Sequence, residues 1–245
     1  MSKLKFPTEE IELPSQGLLY PETSPLSKGK IEMKYMTTRE EDILTNQNYI
    51  KQGIVLDKLL QSMIVTPINY DEVLAGDKDG IMLAARILGY GAEYEFEYKG
   101  QEVTIDLSKV DAKPLNMSLI TKGVNLFEFT TPRTQTKLTF KLLTHGDDKA
   151  ISAELKGLQK VNKNASAELS TRFKHMIQSV EGSSDPKDIR DFIDNYFLAA
   201  DSREFRNFIK QVQPGVDLTF DFEGPDGVEE GVQVPIGVSF FWPES

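Results

Sequence analysis

Tyr94-Glu95-Phe96-Glu97-Tyr98 and Val103-Thr104-Ile105-Asp106-Leu107 decide the fold class. Both alternate apolar and polar residues, and Lys99-Gly100-Gln101-Glu102 lies between them, so they read as a β-hairpin. Leu126-Phe127-Glu128-Phe129 and Leu138-Thr139-Phe140-Lys141-Leu142-Leu143 form a second pair, connected through Pro132 and Arg133. One apolar face per strand points to an antiparallel sheet covered on one side.

The period changes to helical on both flanks. Before the hairpin, a helix is expected from Thr37 to about Asn48, broken or kinked by Gly53. Leu56, Leu59, Leu60, Met63 and Ile64 then share one helical face, and Pro67 ends the run. Asp77 is expected to cap a further helix with Ile81, Ala84, Ala85 and Leu88 as its buried stripe, stopped by Gly89 and Gly91. After the sheet, a polar helix should follow Asp147-Asp148 and end near Lys163. Leu169, Phe173, Met176, Ile177 and Val180 mark one amphipathic helix closed by Gly182. Pro186 opens another, with Ile189, Phe192, Ile193, Tyr196 and Phe197 as its stripe. Asp201-x-x-Glu204 has the spacing of a capping box for a third, ending at Pro214-Gly215. Leu218 to Phe222 and Val232 to Phe241 return to strand, with Pro235 and Gly237 placing the last strand at an edge or in a bulge. No internal repeat and no low-complexity segment is visible.

The first 35 residues differ from the rest. Leu13-Pro14-Ser15-Gln16-Gly17-Leu18-Leu19-Tyr20-Pro21 holds too much Pro and Gly for a helix or central strand, yet is apolar enough to seek burial. Such a segment either straps onto its own core or docks on a partner. Met33-Lys34-Tyr35-Met36-Thr37-Thr38-Arg39-Glu40-Glu41-Asp42-Ile43-Leu44 follows, with Ile31 to Tyr35 alternating like a short strand. Thr37-x-x-Glu40 and Thr38-x-x-Glu41 both have capping-box spacing, and the acidic residues favour the positive end of the helix dipole.

These strings, with the later Phe240-Phe241-Trp242-Pro243, resemble the baseplate hub subunit family of T-even-type contractile-tailed phages. The order L-P-S-x-G-x-x-Y-P then M-T-T-x-E-E-D-I-L-T runs from Leu13 to Thr45, a long apolar helix follows, and the likeness extends over nearly the whole chain. The resemblance implies a part in tail assembly as hub component or assembly factor, without catalysis.

Composition sets the outer bounds. A chain of 245 residues can bury a substantial core, and apolar and charged fractions of 39% and 27% are those of a folded globular protein. A net charge of −10 opposes non-specific binding to nucleic acid. The absence of cysteine excludes disulfides and thiolate metal sites, including a zinc knuckle at Phe222–Gly227. No run approaches the roughly 20 apolar residues of a membrane span, and Met1-Ser2-Lys3-Leu4-Lys5-Phe6-Pro7 lacks the apolar run expected of a signal peptide. The expected place is the host cytoplasm during assembly, with the tail baseplate of the virion as the alternative end-point.

No residue pattern carries catalysis. His145 and His175 stand outside any nucleophile or metal motif. Asp185, Asp188, Asp191 and Asp194 recur every three residues, which describes a solvated helix face rather than oxygens converging on a cation. Asp77-Lys78-Asp79-Gly80 lacks the remaining ligands of a calcium loop, and Gly89-Tyr90-Gly91 follows a helix where a phosphate loop must open one.

The sequence therefore predicts an α+β protein with an extended arm over 1–35, helix plus β-hairpins over 36–145, and a helical lobe with a C-terminal hairpin over 146–245. No catalytic, cofactor or metal residue is expected. Candidate partner-binding residues are Leu18, Leu19, Tyr20 and Pro21 in the arm and Phe240, Phe241 and Trp242 at the end, each group with burial in its own core as the competing reading. Without residues 1–35 the remainder is expected to fold but lose its partners. Expected partners are other baseplate hub or tail proteins. A cell-wall hydrolase riding on the hub is the competing function.

Overall fold

The N-terminal arm is a hairpin. In the computed structural model, which describes residues 7–161, 167–224 and 227–241, β1 (Thr8–Glu12) pairs antiparallel with β2 (Lys30–Lys34). The Pro-rich string fills the loop between them, and Leu13, Leu19, Leu26, Ile31 and Met33 are buried. Three helices follow: α1 (Thr38–Leu44), α2 (Gln47–Gln52) and α3 (Val55–Met63). The single helix expected from Thr37 to Asn48 is two, because the Asn46 side chain accepts from the Asn48 and Tyr49 N–H groups and starts a new one. Gly53 ends α2 in the left-handed region, at φ 71°. After α3 the chain bridges β2 at Met33↔Ile64, and a short 3₁₀ turn (Tyr70–Glu72) leads into α4 (Ala75–Tyr90).

The deciding hairpin forms as β3 (Glu93–Tyr98) and β4 (Gln101–Asp106). Its loop is the two residues Lys99-Gly100, both with positive φ, as a tight hairpin requires. A linker carries the chain to β5 (Phe127–Thr130) and β6 (Lys137–Phe140), and then to α5 (His145–Val161); the expected end of α5 near Lys163 lies outside the described residues. The amphipathic helix expected to reach Val180 stops earlier, as α6 (Glu168–Met176). Ile177–Val180 becomes β7, the third strand of the β5-β6-β7 sheet. Ile-Gln-Ser-Val satisfies period two as well as the helical period, and the free edge of β6 decides between them.

Asp185 caps α7 (Pro186–Asp191), which unwinds into a π-helical turn at Phe192–Tyr196 before α8 (Ala199–Val212). The last pair is β8 (Thr219–Gly224) and β9 (Gly227–Gln233). The return strand thus ends before Pro235 rather than running to Phe241, and Val238–Phe241 is a 3₁₀ turn. The α+β class stands. The expected division near residue 145 does not part the core: β6 pairs with β7 across it, and one hydrophobic cluster runs from Leu13 to Phe241.

The element order also corrects the absence of a repeat. Hairpin, helices, a segment that returns to the hairpin, a further helix and a second hairpin occur over 8–106 and again over 127–233, the returning segment being a single bridge in the first half and β7 in the second. The returning segment pairs at the same place, Met33↔Ile64 in one half and Phe140↔Ile177 in the other. The Leu13 N–H donates to the Gly29 carbonyl across the first hairpin loop, and the Thr131 N–H to the Thr136 carbonyl across the second.

Candidate functional site

The arm is held by one buried carboxylate. Asp77 sits in the first turn of α4, not at its cap, and is fully buried. Its Oδ1 accepts from the Ser15 N–H at 2.7 Å; its Oδ2 accepts from the Ser15 hydroxyl at 2.7 Å and the Tyr20 hydroxyl at 2.6 Å. The Tyr20 oxygen in turn accepts from the Leu74 N–H at 2.9 Å. Burial pushes the Asp77 carboxyl upward, against the three donors that favour its ionised form. Burial, reinforced by Asp77, keeps the Tyr20 phenol protonated, so it remains a donor.

The second half repeats this anchor. Asp201 is also buried in the first turn of its helix rather than capping it, and accepts from the Arg133 N–H at 2.8 Å, the Thr134 N–H at 3.2 Å and the Thr134 hydroxyl at 3.0 Å. Each loop begins with a proline, Pro14 or Pro132, and carries a glutamine at positive φ, 53° for Gln16 and 56° for Gln135. Each anchored helix opens Leu-Ala-x-Asp, at Leu74 and Leu198. Sequence reasoning found both aspartates but assigned them to caps. The missing signal was the shared Leu-Ala-x-Asp.

These contacts place the candidate partner residues. Leu19 and Tyr20 are buried, Leu18 is half-buried with its carbonyl accepting from the Gly123 N–H, and Pro21 is exposed. Phe240 and Phe241 are buried, with Phe240 edge-on to Tyr94 at 4.9 Å. Trp242 lies outside the described residues. Leu19, Tyr20, Phe240 and Phe241 are therefore packed into this protein's own core. The arm is not separable: five of the core side chains named above come from it.

Two charged clusters stand at the starts of α1 and α5. Glu40 is buried in the capping box of α1. Burial alone would raise its carboxyl, but Lys34 Nζ at 2.7 Å, Ser62 Oγ at 2.6 Å and the Thr37 hydroxyl at 2.6 Å outweigh that and hold it at about 2. Lys141 and Asp147 reproduce the pair in the second half at 2.8 Å, beside a Thr144 cap. His145 is buried, its ring 4.6 Å from Tyr70. Asp57 at 3.8 Å and Asp71 at 3.9 Å face it from the first half, with Lys78 at 3.5 Å and Lys149 also nearby. Burial lowers its affinity for a proton, with Asp57 opposing. His175 lies beside Glu154 at 3.1 Å.

The aspartate row is a solvated face: Asp185 caps α7, Asp188 accepts from Ser183, Asp191 from Asn195, and Asp194 pairs with Lys174. Among the described residues no cluster of His, Asp or Glu is arranged to hold a metal, and no helix is long and apolar enough to cross a membrane. An apolar concavity of about 240 Å³ lies between the halves. Leu74, Leu142, Phe173, Met176 and Ile209 form its floor, and Arg172, Arg206 and Lys210 stand on its rim. No carboxylate lines it, so it lacks the acid pair that glycoside hydrolysis needs. Of the rim cations, Arg172 is paired with Asp148 at 3.2 Å.

No family model, curated protein or solved structure matches the chain.

Proposed function

We propose that this protein is a non-enzymatic baseplate hub subunit or hub-assembly factor of a contractile phage tail, acting by binding other hub or tail proteins during baseplate morphogenesis. The resemblance of Leu13–Thr45 to that family supports the assignment to a tail. The observation that carries the binding reading is the apolar groove between the halves, with a cationic rim on an acidic protein. Because Leu19, Tyr20, Phe240 and Phe241 are buried, the proposed partner contact is this groove and the exposed surface around it.

Quantitative mass spectrometry of purified virions beside an infected-cell lysate tests the reading. A fixed low copy number in the virion identifies a structural hub component; abundance in lysate complexes with tail proteins, and absence from the virion, identifies an assembly factor. Absence from both the virion and any tail-protein complex overturns the proposal, as does clearing of peptidoglycan that a single Asp or Glu substitution abolishes.

A further inference from the structure

The two halves match residue by residue where they meet. Lys34-x-Met36-Thr37-x-x-Glu40 corresponds to Lys141-x-Leu143-Thr144-x-x-Asp147, with the same lysine–carboxylate pair and the same threonine cap. Leu74-Ala75-Gly76-Asp77 corresponds to Leu198-Ala199-Ala200-Asp201. The correspondence runs without a gap through Gly91 and Gly215 to Phe96 and Phe220.

This correspondence makes the junction between the halves informative. The segment before α4 pairs with the segment before α5: Leu74 bridges Thr144, the Ala75 N–H donates to the Leu143 carbonyl at 3.1 Å, and the His145 N–H donates to the Val73 carbonyl at 2.8 Å. One half offers its Leu-Ala-x-Asp segment, the other its Lys-x-x-Thr segment. The contact is head-to-tail, so each half retains the complementary segment unused. In the second half that is Phe197–Ala199; in the first it is Met36–Thr38.

Burial follows the same division. Leu74 is 2% exposed and its counterpart Leu198 is 47% exposed, next to Tyr196 at 62%. His145 is 4% exposed, whereas its counterpart Thr38 is exposed, beside Tyr35 at 41%. The Ala199 and Thr38 N–H groups, counterparts of the two donors at the junction, have no hydrogen-bond partner among the described residues. Each of the two complementary segments is thus present twice in the chain and paired once.

We propose that a second copy of this chain completes the pattern. The Phe197–Ala199 segment of one molecule pairs with the Met36–Thr38 segment of the next, with Ala199 N–H donating to the Met36 carbonyl, Thr38 N–H donating to the Phe197 carbonyl, and Leu198 buried. The contact joins unlike segments and each copy carries both, so association closes reciprocally at two copies or continues to a larger ring or a filament, as the rotation between copies dictates. The two junctions differ in one respect. Gly76 lies so close to the Pro214 carbonyl that a Cβ would collide with it, whereas Ala200 has a Cβ, so the intermolecular contact is looser on that side. Each copy carries −10, and the proposal therefore concerns salt near physiological strength, where that repulsion is screened beyond about 8 Å. The inference stands independently of the assignment to a phage tail.

Sedimentation equilibrium of the full chain over about a hundredfold range of concentration tests it. The mass is expected to rise above 27.6 kDa with concentration. Leu198→Asp and Thr38→Pro should each remain monomeric, with far-UV circular dichroism unchanged. Proline is suited to Thr38 because it is the first residue of α1 and follows an extended Thr37, so only the free N–H is lost. Mixing the two variants should restore a dimer and nothing larger, because one retains each half of the contact. A wild-type chain that is monomeric throughout overturns the proposal. So does association that survives both substitutions, or a variant mixture that does not pair.

Discussion

Asp77→Ala tests whether one carboxylate holds the arm. The substitution leaves the Ser15 N–H, the Ser15 hydroxyl and the Tyr20 hydroxyl without their acceptor in a site closed to water. A hydrogen bond to a charged group contributes roughly 1.5–3 kcal/mol. Three of them set a gross loss of roughly 5–9 kcal/mol, from which the cost of burying the carboxylate, seen in its raised pKa, must be subtracted. A net loss of about 3–4 kcal/mol is expected. Asp77→Asn should lose less, about 2 kcal/mol, because the amide oxygen still accepts while the amide nitrogen faces a donor. Urea unfolding followed by circular dichroism measures both, and limited proteolysis should show new cleavage in the 13–29 loop of the alanine variant. Asp201→Ala should cost a similar amount, since its three donors lie at comparable distances. A loss below about 1 kcal/mol for Asp77→Ala, with the loop still protected, would refute the anchoring argument.

Glu40 sets an acid limit: its carboxyl lies at about 2 when folded and near 4.5 when free, so its stabilisation is complete above pH 4.5 and is lost as pH falls toward 2. The shift corresponds to about 3 kcal/mol, and Glu40→Gln should flatten the pH dependence of urea unfolding in that window. His145 acts at milder pH. Its folded pKa is lowered, so stability is full above about 6.5 and declines as pH falls below it; His145→Phe should remove that decline in a thermal-melt series. Deletion of residues 1–35 strips Leu13, Leu19, Leu26, Ile31 and Met33 from the core and should give a chain without cooperative unfolding, measured by calorimetry.

The hairpin at 93–106 was legible because alternation and a two-residue turn act locally, and the buried stripe of α4 because helical period survives any tertiary setting. Ile177–Val180 was not, since four residues fit either period and the edge of β6 made the choice. Asp77 and Asp201 looked like caps because position in a first turn is local information. Their partners, Ser15 and Thr134, lie 62 and 67 residues away. The repeat was hidden for a related reason. The first hairpin loop carries the inserted strap that the second lacks, and the chain between the returning segment and the Leu-Ala-x-Asp helix is longer in the second half, so few positions keep one offset. Of the seven candidate partner residues, Leu19, Tyr20, Phe240 and Phe241 pack into the chain's own core. The sequence identified apolar segments seeking burial but not which surface would bury them.

The anchors also bear on how the chain reaches this structure. Joining Ser15 to Asp77 closes a loop of 62 residues, and joining Arg133 to Asp201 one of 68, each at an entropic cost on the order of 4 kcal/mol. Both loops close inside a single half. The non-local contacts that slow folding are therefore divided between two units of similar topology, each able to organise around its own aspartate before the junction forms.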